Sequence, residues 1–316
     1  MVVIDHAIPF LPLWLAPSHN ITVVSAEEIT NHLLRSTGAT ALFVRSVTTV
    51  NEQLLRGTNI AFVGSATAGI DHVDVDYLQS NTIAFAFAPG CNANAVANYV
   101  LDAIERNTIT SNAAIGVVGF GHVGSCVARY ARMRGNTVYV CDPPLVEQQF
   151  TFPSWSTVVD LATLLRCCDV VSVHVPLTRH GVYATANMIT EDLLQSTKPG
   201  ALFINTARGG IVLERALANL EQAGHLRAVL DVFAGEPDNV DPYVLQRVSQ
   251  CTPHIAGYSF EAKQKGAQMV YEAFTGYVPP QPQLTSANFR LMRELYPLPH
   301  ESRTPPTWEQ CNVGDS

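Results

Sequence analysis

The chain has 316 residues, 47% of them hydrophobic and 15% charged, with a formal net charge of −8. That length admits two domains of ordinary size, each with its own core. The acidic balance, with no basic block against it, excludes nucleic acid and a membrane surface as expected partners. It leaves room for an anionic small-molecule substrate, because a few local arginines can dominate one pocket.

Seven cysteines stand at 91, 126, 141, 167, 168, 251 and 311, an odd number with no C-x-x-C among them. This fits a reduced, cytoplasmic compartment better than a disulfide framework, and no metal site is expected. The opening MVVIDHAIPFLPLWL is apolar, but Asp5 and His6 interrupt it and no basic stretch precedes it. It reads as a strand running into a loop rather than a signal peptide. No apolar run is long and uniform enough for a transmembrane helix.

Along the chain, VVIDHA, ITVVS, ALFVRS, IAFVGSA and IAFAFAPG are short, continuous and rich in branched or aromatic residues. Such runs predict buried parallel strands. AEEITNHLLRS and NEQLLRG between them predict crossover helices, giving a βαβ series and an open sheet. A helix is predicted over NANAVANYVLDAIERN, and a second, more regular series follows. Its strands are AIGVVGFG, TVYVCDPP, DVVSVHVP, ALFINTA and RAVLDVF; its helices are VGSCVARYARMRG, VVDLATLLRCC, EDLLQSTKPG and ERALANLEQAG. The fold expected is α/β, with two doubly wound parallel-sheet domains.

The helix FEAKQKGAQMVYEAFTGY is expected to return to the first domain. Residues 1–95 plus 258–278 would then form a flavodoxin-like substrate-binding domain, with residues 96–257 inserted as a Rossmann domain. The segment 279–316 carries seven prolines and few apolar repeats, so it is predicted to build little core and to be partly disordered.

Gly119-Phe120-Gly121-His122-Val123-Gly124 follows a predicted strand and opens a predicted helix. The bare G-x-G-x-x-G pattern is weak, but this context is that of a dinucleotide site. The glycines give, in order, a tight turn, close approach to a pyrophosphate, and close helix–sheet packing. Free N–H groups and the positive dipole end of the helix then face the phosphates. Asp142 ends the next strand, where a carboxylate accepts hydrogen bonds from ribose hydroxyls and repels a 2′-phosphate. NAD is therefore the expected cofactor.

Three further patches end strands of the second series: Asn205-Thr206-Ala207-Arg208-Gly209-Gly210, Asp231-Val232-Phe233-Ala234-Gly235-Glu236-Pro237 and Thr252-Pro253-His254-Ile255-Ala256-Gly257-Tyr258. Removing hydride from a 2-hydroxy acid needs a base for the hydroxyl proton, a cation for the carboxylate, and a carboxylate to tune the base. His254 suits the first role, Arg208 the second and Glu236 the third. Each residue alone has a bland reading, as a loop histidine, a helix-start arginine or a turn glutamate. Their joint position behind a dinucleotide motif is what raises them to candidates.

These motifs resemble those of the D-isomer-specific 2-hydroxyacid dehydrogenases. The resemblance implies Arg208 on the substrate carboxylate, Glu236 as partner of the base and His254 as proton acceptor. Asp231, Thr206, Ala207 and Gly257 would lie at the cofactor. Narrower matches at Val44-Arg45-Ser46-Val47-Thr48, Gly64–Asp74, Ala88-Pro89-Gly90-Cys91-Asn92-Ala93, Cys141-Asp142-Pro143-Pro144 and His254–Tyr258 cover residues 1–278 with the rest. They resemble one branch of the family, which oxidises 4-phospho-D-erythronate to 2-oxo-3-hydroxy-4-phosphobutanoate on the way to pyridoxal phosphate.

That branch implies Ser46, Thr67 and Tyr258 as substrate contacts. Arg45 is a candidate for the phosphate on physical grounds, since a dianion needs a cation or several N–H groups. Phosphoglycerate or another D-2-hydroxy acid is the alternative substrate, and a non-catalytic NAD-binding interaction protein the alternative class. Three departures stand out. The segment Leu101–Ile115 is shorter than the family pattern. Val175 replaces a threonine whose hydroxyl would touch the cofactor. The branch's C-terminal dimerisation domain is not recognisable, so the implied homodimer is expected to be weakened or altered.

Overall fold

A computed structural model of the chain describes residues 1–276. The proline-rich segment 279–316, with its expected disorder and altered dimerisation, lies outside the described residues. The chain divides into two compact units, residues 1–92 with 258–276, and residues 93–257.

The first unit runs β1 (Val2–Asp5), α1 (Leu11–Leu15), β2 (Ile21–Val24), α2 (Asn31–Ser36), β3 (Ala41–Val44), α3 (Glu52–Leu55), β4 (Phe62–Ser65), α4 (Val75–Ser80) and β5 (Ala84–Phe87). Its five strands are all parallel, in the order β2-β1-β3-β4-β5, the flavodoxin-like order. Alternation along the strands serves two cores at once. Val3, Leu42 and Val44 pack with Leu34, Leu54, Leu55 and Leu78 on one face. Ile4, Ala41 and Phe43 pack on the other with Leu11, Trp14, Ala267 and Val270.

The second unit runs α5 (Ala93–Arg106), β6 (Ala114–Val118), α6 (His122–Met133), β7 (Thr137–Cys141), α7 (Pro143–Glu147), β8 (Ser156–Val158), α8 (Leu161–Cys167), β9 (Val170–Val173), α9 (Glu191–Gln195), β10 (Ala201–Asn205), α10 (Glu214–Gln222), β11 (Leu226–Leu230), α11 (Pro242–Leu245) and β12 (Gln250–Cys251). Its seven strands stand in the order β12-β11-β10-β9-β6-β7-β8. The order reverses beside β6, the switch point at which open α/β sheets bind ligands. Ile115 and Val117 face α5 and α6 in one core, while Val118, Val171 and Val173 face the helices of the other. The final helix, α12 (Phe260–Thr275), belongs to the first unit. Gly266 lets it lie close on the loop after β4, since a Cβ there would come within 2.8 Å of the Ala66 carbonyl oxygen.

The predicted strands are present in both sheets, and the departures are local. Leu11–Leu15, expected as loop, is a short helix with Leu11, Trp14 and Leu15 buried. Each such side chain contributes on the order of 2 kcal/mol when fully covered, which outweighs the weak helical signal of an LPLWL run. The single helix expected over 26–36 is broken: Ala26–Glu28 is a 3-10 turn, and Thr30 takes extended geometry to cap α2, accepting from Leu33 N at 3.2 Å. The stretch VVDLATLLRCC starts as β8 and becomes helical only after Asp160, which caps α8 by accepting from Thr163 N at 2.8 Å. The segment after α5 turns at Thr108, and Asn107 ties it down. Its side chain bonds Gln250 at 3.1 Å, and its carbonyl accepts from Arg227 at 2.8 Å.

Candidate active site

At the end of β6 the chain turns at Gly119, whose φ of 89° suits glycine. A Cβ there would stand 2.8 Å from both the His174 carbonyl oxygen and the Val175 side chain. A Cβ on Gly124 would stand 1.9 Å from the Gly119 carbonyl oxygen, so only glycine lets α6 start this close to the strand. Gly121, the residue before α6, is different: a Cβ there meets nothing within 4 Å. The structure makes no demand for glycine at 121, which is compatible with a backbone kept bare for a ligand. Asp142 ends β7 and braces this loop. One carboxylate oxygen accepts from Phe120 N at 2.7 Å and the other from Leu145 N at 3.1 Å. Each oxygen keeps a lone pair for a ribose hydroxyl.

Beside the glycine loop, β9 and β10 pair with Val173 opposite Asn205, so His174 and Thr206 follow side by side at their ends. The His174 ring bonds Ser172 Oγ through Nε2 at 2.8 Å. Burial pushes its pKa down to about 3, so the ring is neutral. Its Nδ1 and Thr206 Oγ1 are both closed off from solvent and have no hydrogen-bond partner among the described residues. Buried polar atoms left unpaired cost about 1–3 kcal/mol each, and a ligand with an amide group would satisfy such a pair. Bare glycine loop, braced carboxylate and two unpaired polar atoms fit a nicotinamide dinucleotide. Val175 lines Gly119 with methyl groups only.

The three candidate catalytic residues lie on loops that fasten to one another. His254 Nδ1 bonds Glu236 Oε1 at 2.7 Å, and the second Glu236 oxygen accepts from Phe233 N at 3.0 Å. The Glu236 hydrogen bond raises the His254 pKa, against burial and the nearby Arg208 charge. Half of the His254 side chain stays exposed, while Glu236 is mostly covered. Beneath them Asp231 is 1% exposed. One of its oxygens accepts from Thr252 Oγ1 at 2.6 Å and Ile255 N at 2.8 Å; the other accepts from Ala256 N at 2.8 Å. Asp231, expected near the nicotinamide, also anchors the loop that carries His254. Burial nevertheless pushes its pKa up to about 6.

Arg208 sits in a loop pinned by the fully buried Asn205, whose side chain donates to the Arg208 carbonyl at 2.9 Å and accepts from Ala207 N at 3.0 Å. A Cβ on Gly209 would fall 1.9 Å from the Phe233 carbonyl carbon, so the arginine loop rests directly on the loop that carries Glu236. Glu214 ties the two together: one of its oxygens accepts from Gly210 N at 3.1 Å and from Ala234 N at 2.8 Å. Sequence reasoning missed Glu214, because a glutamate at the first position of a helix reads as an ordinary end charge. Its 8% exposure is the signal, and only the structure carries it.

The first unit assembles a group of its own. The Arg45 guanidinium, at the end of β3, lies 6.0 Å from the centre of the Tyr258 ring. Lys263 Nζ lies 3.9 Å from the same centre and donates to the Tyr258 hydroxyl at 2.5 Å. Neither cation forms an ion pair among the described residues. Lys263 was also missed; it stands in the first turn of α12, and nothing local marks it. Ser46 is exposed next to Arg45. Thr67 Oγ1 bonds Ser65 Oγ at 2.7 Å and the Gly69 carbonyl at 2.8 Å, and Ser65 Oγ bonds His72 Nε2 at 2.9 Å. Gly257 closes the His254 loop before Tyr258.

A family model described as the NAD-binding domain of D-isomer specific 2-hydroxyacid dehydrogenases matches residues 95–256. The chain belongs to that family. Among its curated relatives, the erythronate-4-phosphate dehydrogenase of Hydrogenovibrio crunogenus is 39% identical over 277 residues, covering 86% of this chain and 71% of that protein. The erythronate-4-phosphate dehydrogenase of Marinobacter nauticus is 41% identical over 285 residues, covering 88% and 73%. Among solved structures, the D-lactate dehydrogenase of Aquifex aeolicus complexed with NAD and lactic acid aligns with a TM-score of 0.66 at 22% identity, over 87% of this chain and 96% of that one. That likeness bears on the fold. As a D-isomer-specific 2-hydroxyacid dehydrogenase the chain is an NAD-dependent oxidoreductase. Among the described residues no helix is long and apolar enough to cross a membrane.

Proposed function

We propose that the chain oxidises 4-phospho-D-erythronate to 2-oxo-3-hydroxy-4-phosphobutanoate, within the biosynthesis of pyridoxal phosphate. The observation that carries the chemistry is the 2.7 Å bond between His254 Nδ1 and Glu236. With Nδ1–H donated to the carboxylate, the neutral ring keeps its lone pair on Nε2, and that atom takes the substrate hydroxyl proton. As the C2–O bond becomes a carbonyl, the hydrogen on C2 leaves with its electron pair. Gly119, Gly121, Gly124 and Asp142 would hold NAD, with Thr206, Ala207, Val175, Asp231 and Gly257 around its nicotinamide end, and the bound cofactor would supply the hydride acceptor. Glu236 stabilises the imidazolium that forms. Arg208 grips the substrate carboxylate through its planar fork. Asp231 holds the His254 loop in place.

The choice of a phosphorylated acid rests on Arg45 and Lys263, two cations on one tyrosine in an otherwise acidic protein. Both are proposed to hold the phosphate, with Ser46, Thr67 and Tyr258 as further substrate contacts. Cys91, Cys126, Cys141, Cys167 and Cys168 form no disulfide among the described residues, which supports a cytoplasmic setting. A homodimer is the assembly that the resemblance implies, and sedimentation velocity reads it directly.

The test is NADH formation by the purified protein on 4-phosphoerythronate, 3-phosphoglycerate and D-lactate, with a 2-oxo acid present as electron acceptor should the cofactor stay bound. Turnover on 4-phosphoerythronate that is lost in His254→Ala and weakened in Arg45→Ala and Lys263→Ala supports the proposal. Turnover on another acid alone keeps the chemistry and discards the substrate. A folded protein that binds NADH and turns over none of them is an NAD-binding interaction protein instead.

A further inference from the structure

The hydrogen bonds around Thr67 have only one consistent direction. The Gly69 carbonyl can only accept, so the Thr67 hydroxyl proton points to it, at 2.8 Å. A hydroxyl has a single proton, so in the 2.7 Å bond with Ser65 it is Ser65 Oγ that donates and Thr67 Oγ1 that accepts. The Ser65 proton is thereby committed, and in the 2.9 Å bond to His72 the ring must donate from Nε2–H. Desolvation lowers the His72 pKa, and the donor is present in either protonation state. Ser65 itself has no exposed surface. The chain of donors therefore runs His72, Ser65, Thr67, Gly69, and Thr67 is left with one lone pair and no proton to offer.

We infer that Thr67 meets the substrate as a hydrogen-bond acceptor and so recognises a substrate hydroxyl, with the Gly69 carbonyl fixing this polarity and Ser65 and His72 as positioning residues that hold the Thr67 oxygen in place. This rests on the proposed function, and it narrows the assignment to one atom. Of the groups on 4-phosphoerythronate, the carboxylate and the phosphate oxygens are acceptors and would leave the Thr67 lone pair opposed. The C2 hydroxyl gives its proton to the base. The C3 hydroxyl is the donor that remains, so Thr67 reads C3, and the site distinguishes a 2,3-dihydroxy acid from a 2-hydroxy acid that also carries a terminal phosphate.

The experiment compares 4-phosphoerythronate with its 3-deoxy analogue in the wild type and in Thr67→Val, Thr67→Ser and Ser65→Ala. The wild type should prefer the 3-hydroxy acid by about tenfold or more in kcat/KM, because a site built around a hydroxyl rejects the analogue that lacks it. Thr67→Val should bring that ratio close to one by raising KM for the hydroxy acid. Thr67→Ser, which keeps the oxygen, should retain the preference. Ser65→Ala, which leaves the Thr67 proton on the Gly69 carbonyl but removes the donor that holds the Thr67 oxygen in place, should narrow the preference part-way and add nothing in the Thr67→Val background. A purely structural role would slow both substrates alike and leave the ratio untouched; that result overturns the inference. So does a wild type that uses both substrates equally well. A wild type with no turnover of 4-phosphoerythronate overturns the proposed function, and this assignment with it.

Discussion

His254 carries its side chain on a left-handed backbone, φ 54°, a conformation that costs a non-glycine residue on the order of 1 kcal/mol and persists only when its surroundings impose it. The imposition is visible: His254 N donates to the Asp231 carbonyl at 2.8 Å, and the Asp231 carboxylate takes the next two N–H groups. The side chain then reaches Glu236, which holds its pKa above the usual value. Oxidation needs the neutral imidazole, so a raised pKa moves the acid limb of the oxidative kcat/KM profile to higher pH, above about 6.5. Reduction of the 2-oxo acid needs the imidazolium and should fail as pH rises through the same point. Glu236→Gln removes the charge, so both limbs should shift to lower pH, with the oxidative rate falling about 10²-fold or more. A profile that keeps its limb in Glu236→Gln would assign the titration to another group.

Asp231→Asn tests the support beneath His254. An amide NH2 would replace one oxygen and face N–H or O–H donors that now have a carboxylate to bond. The expected loss is about 1–3 kcal/mol of stability, measured by urea unfolding, together with a fall in turnover as the loop loses its anchor. The contrast between these residues explains what the sequence could reveal. Arg208, Glu236 and His254 each close a strand in a recognisable run, so chain order alone brings them to notice. Lys263, Glu214, Ser65 and His72 carry no local mark. What makes each of them matter is a partner brought near by folding: Tyr258, the Ala234 amide, Thr67.

At the level of elements, the strands were legible because buried parallel strands are continuous apolar runs. The short helices α1, α4, α7 and α11 were not, nor were β8 and β12. Two to six residues give little periodicity to see, and the helix ends are set by caps such as Asp74, Asp142 and Asp241. The loop between β6 and α6 allows a sharper test, since its glycines serve different ends. Gly124→Ala forces a Cβ to 1.9 Å from a backbone oxygen, so α6 must move; thermal stability and NADH binding should be lost together. Gly121→Ala meets nothing within 4 Å, so the melting temperature should stay close to that of the wild type while the Kd for NADH rises at least tenfold. Equal NADH affinity in Gly121→Ala and wild type would remove the pyrophosphate from this turn.

For the whole molecule, the two sheets share a construction but differ in strand order, and in the second the order reverses beside the glycine loop. The alternating apolar and helical patterns could give the α/β class and the length could admit two cores; neither could give the order of strands, which depends on which crossover packs on which face. The switch point gives the second unit a ligand-binding edge with unpaired polar atoms at His174 and Thr206, and a ligand that completes them should stabilise the folded state. At a hundredfold excess over Kd the gain is about 2.7 kcal/mol, which for a unit spanning residues 93–257 is a rise of roughly 5–10 °C in its melting temperature. NADH should produce that rise in the wild type and in Arg45→Ala, whose substitution lies in the other unit, but not in Gly121→Ala. ADP-ribose, which lacks the nicotinamide, should give a smaller rise. Thr206→Val and His174→Phe should bring the NADH shift down to the ADP-ribose value and leave the ADP-ribose shift itself unchanged. If ADP-ribose matches NADH in the wild type, the nicotinamide contributes nothing at these strand ends, and the two unpaired atoms answer to some other ligand.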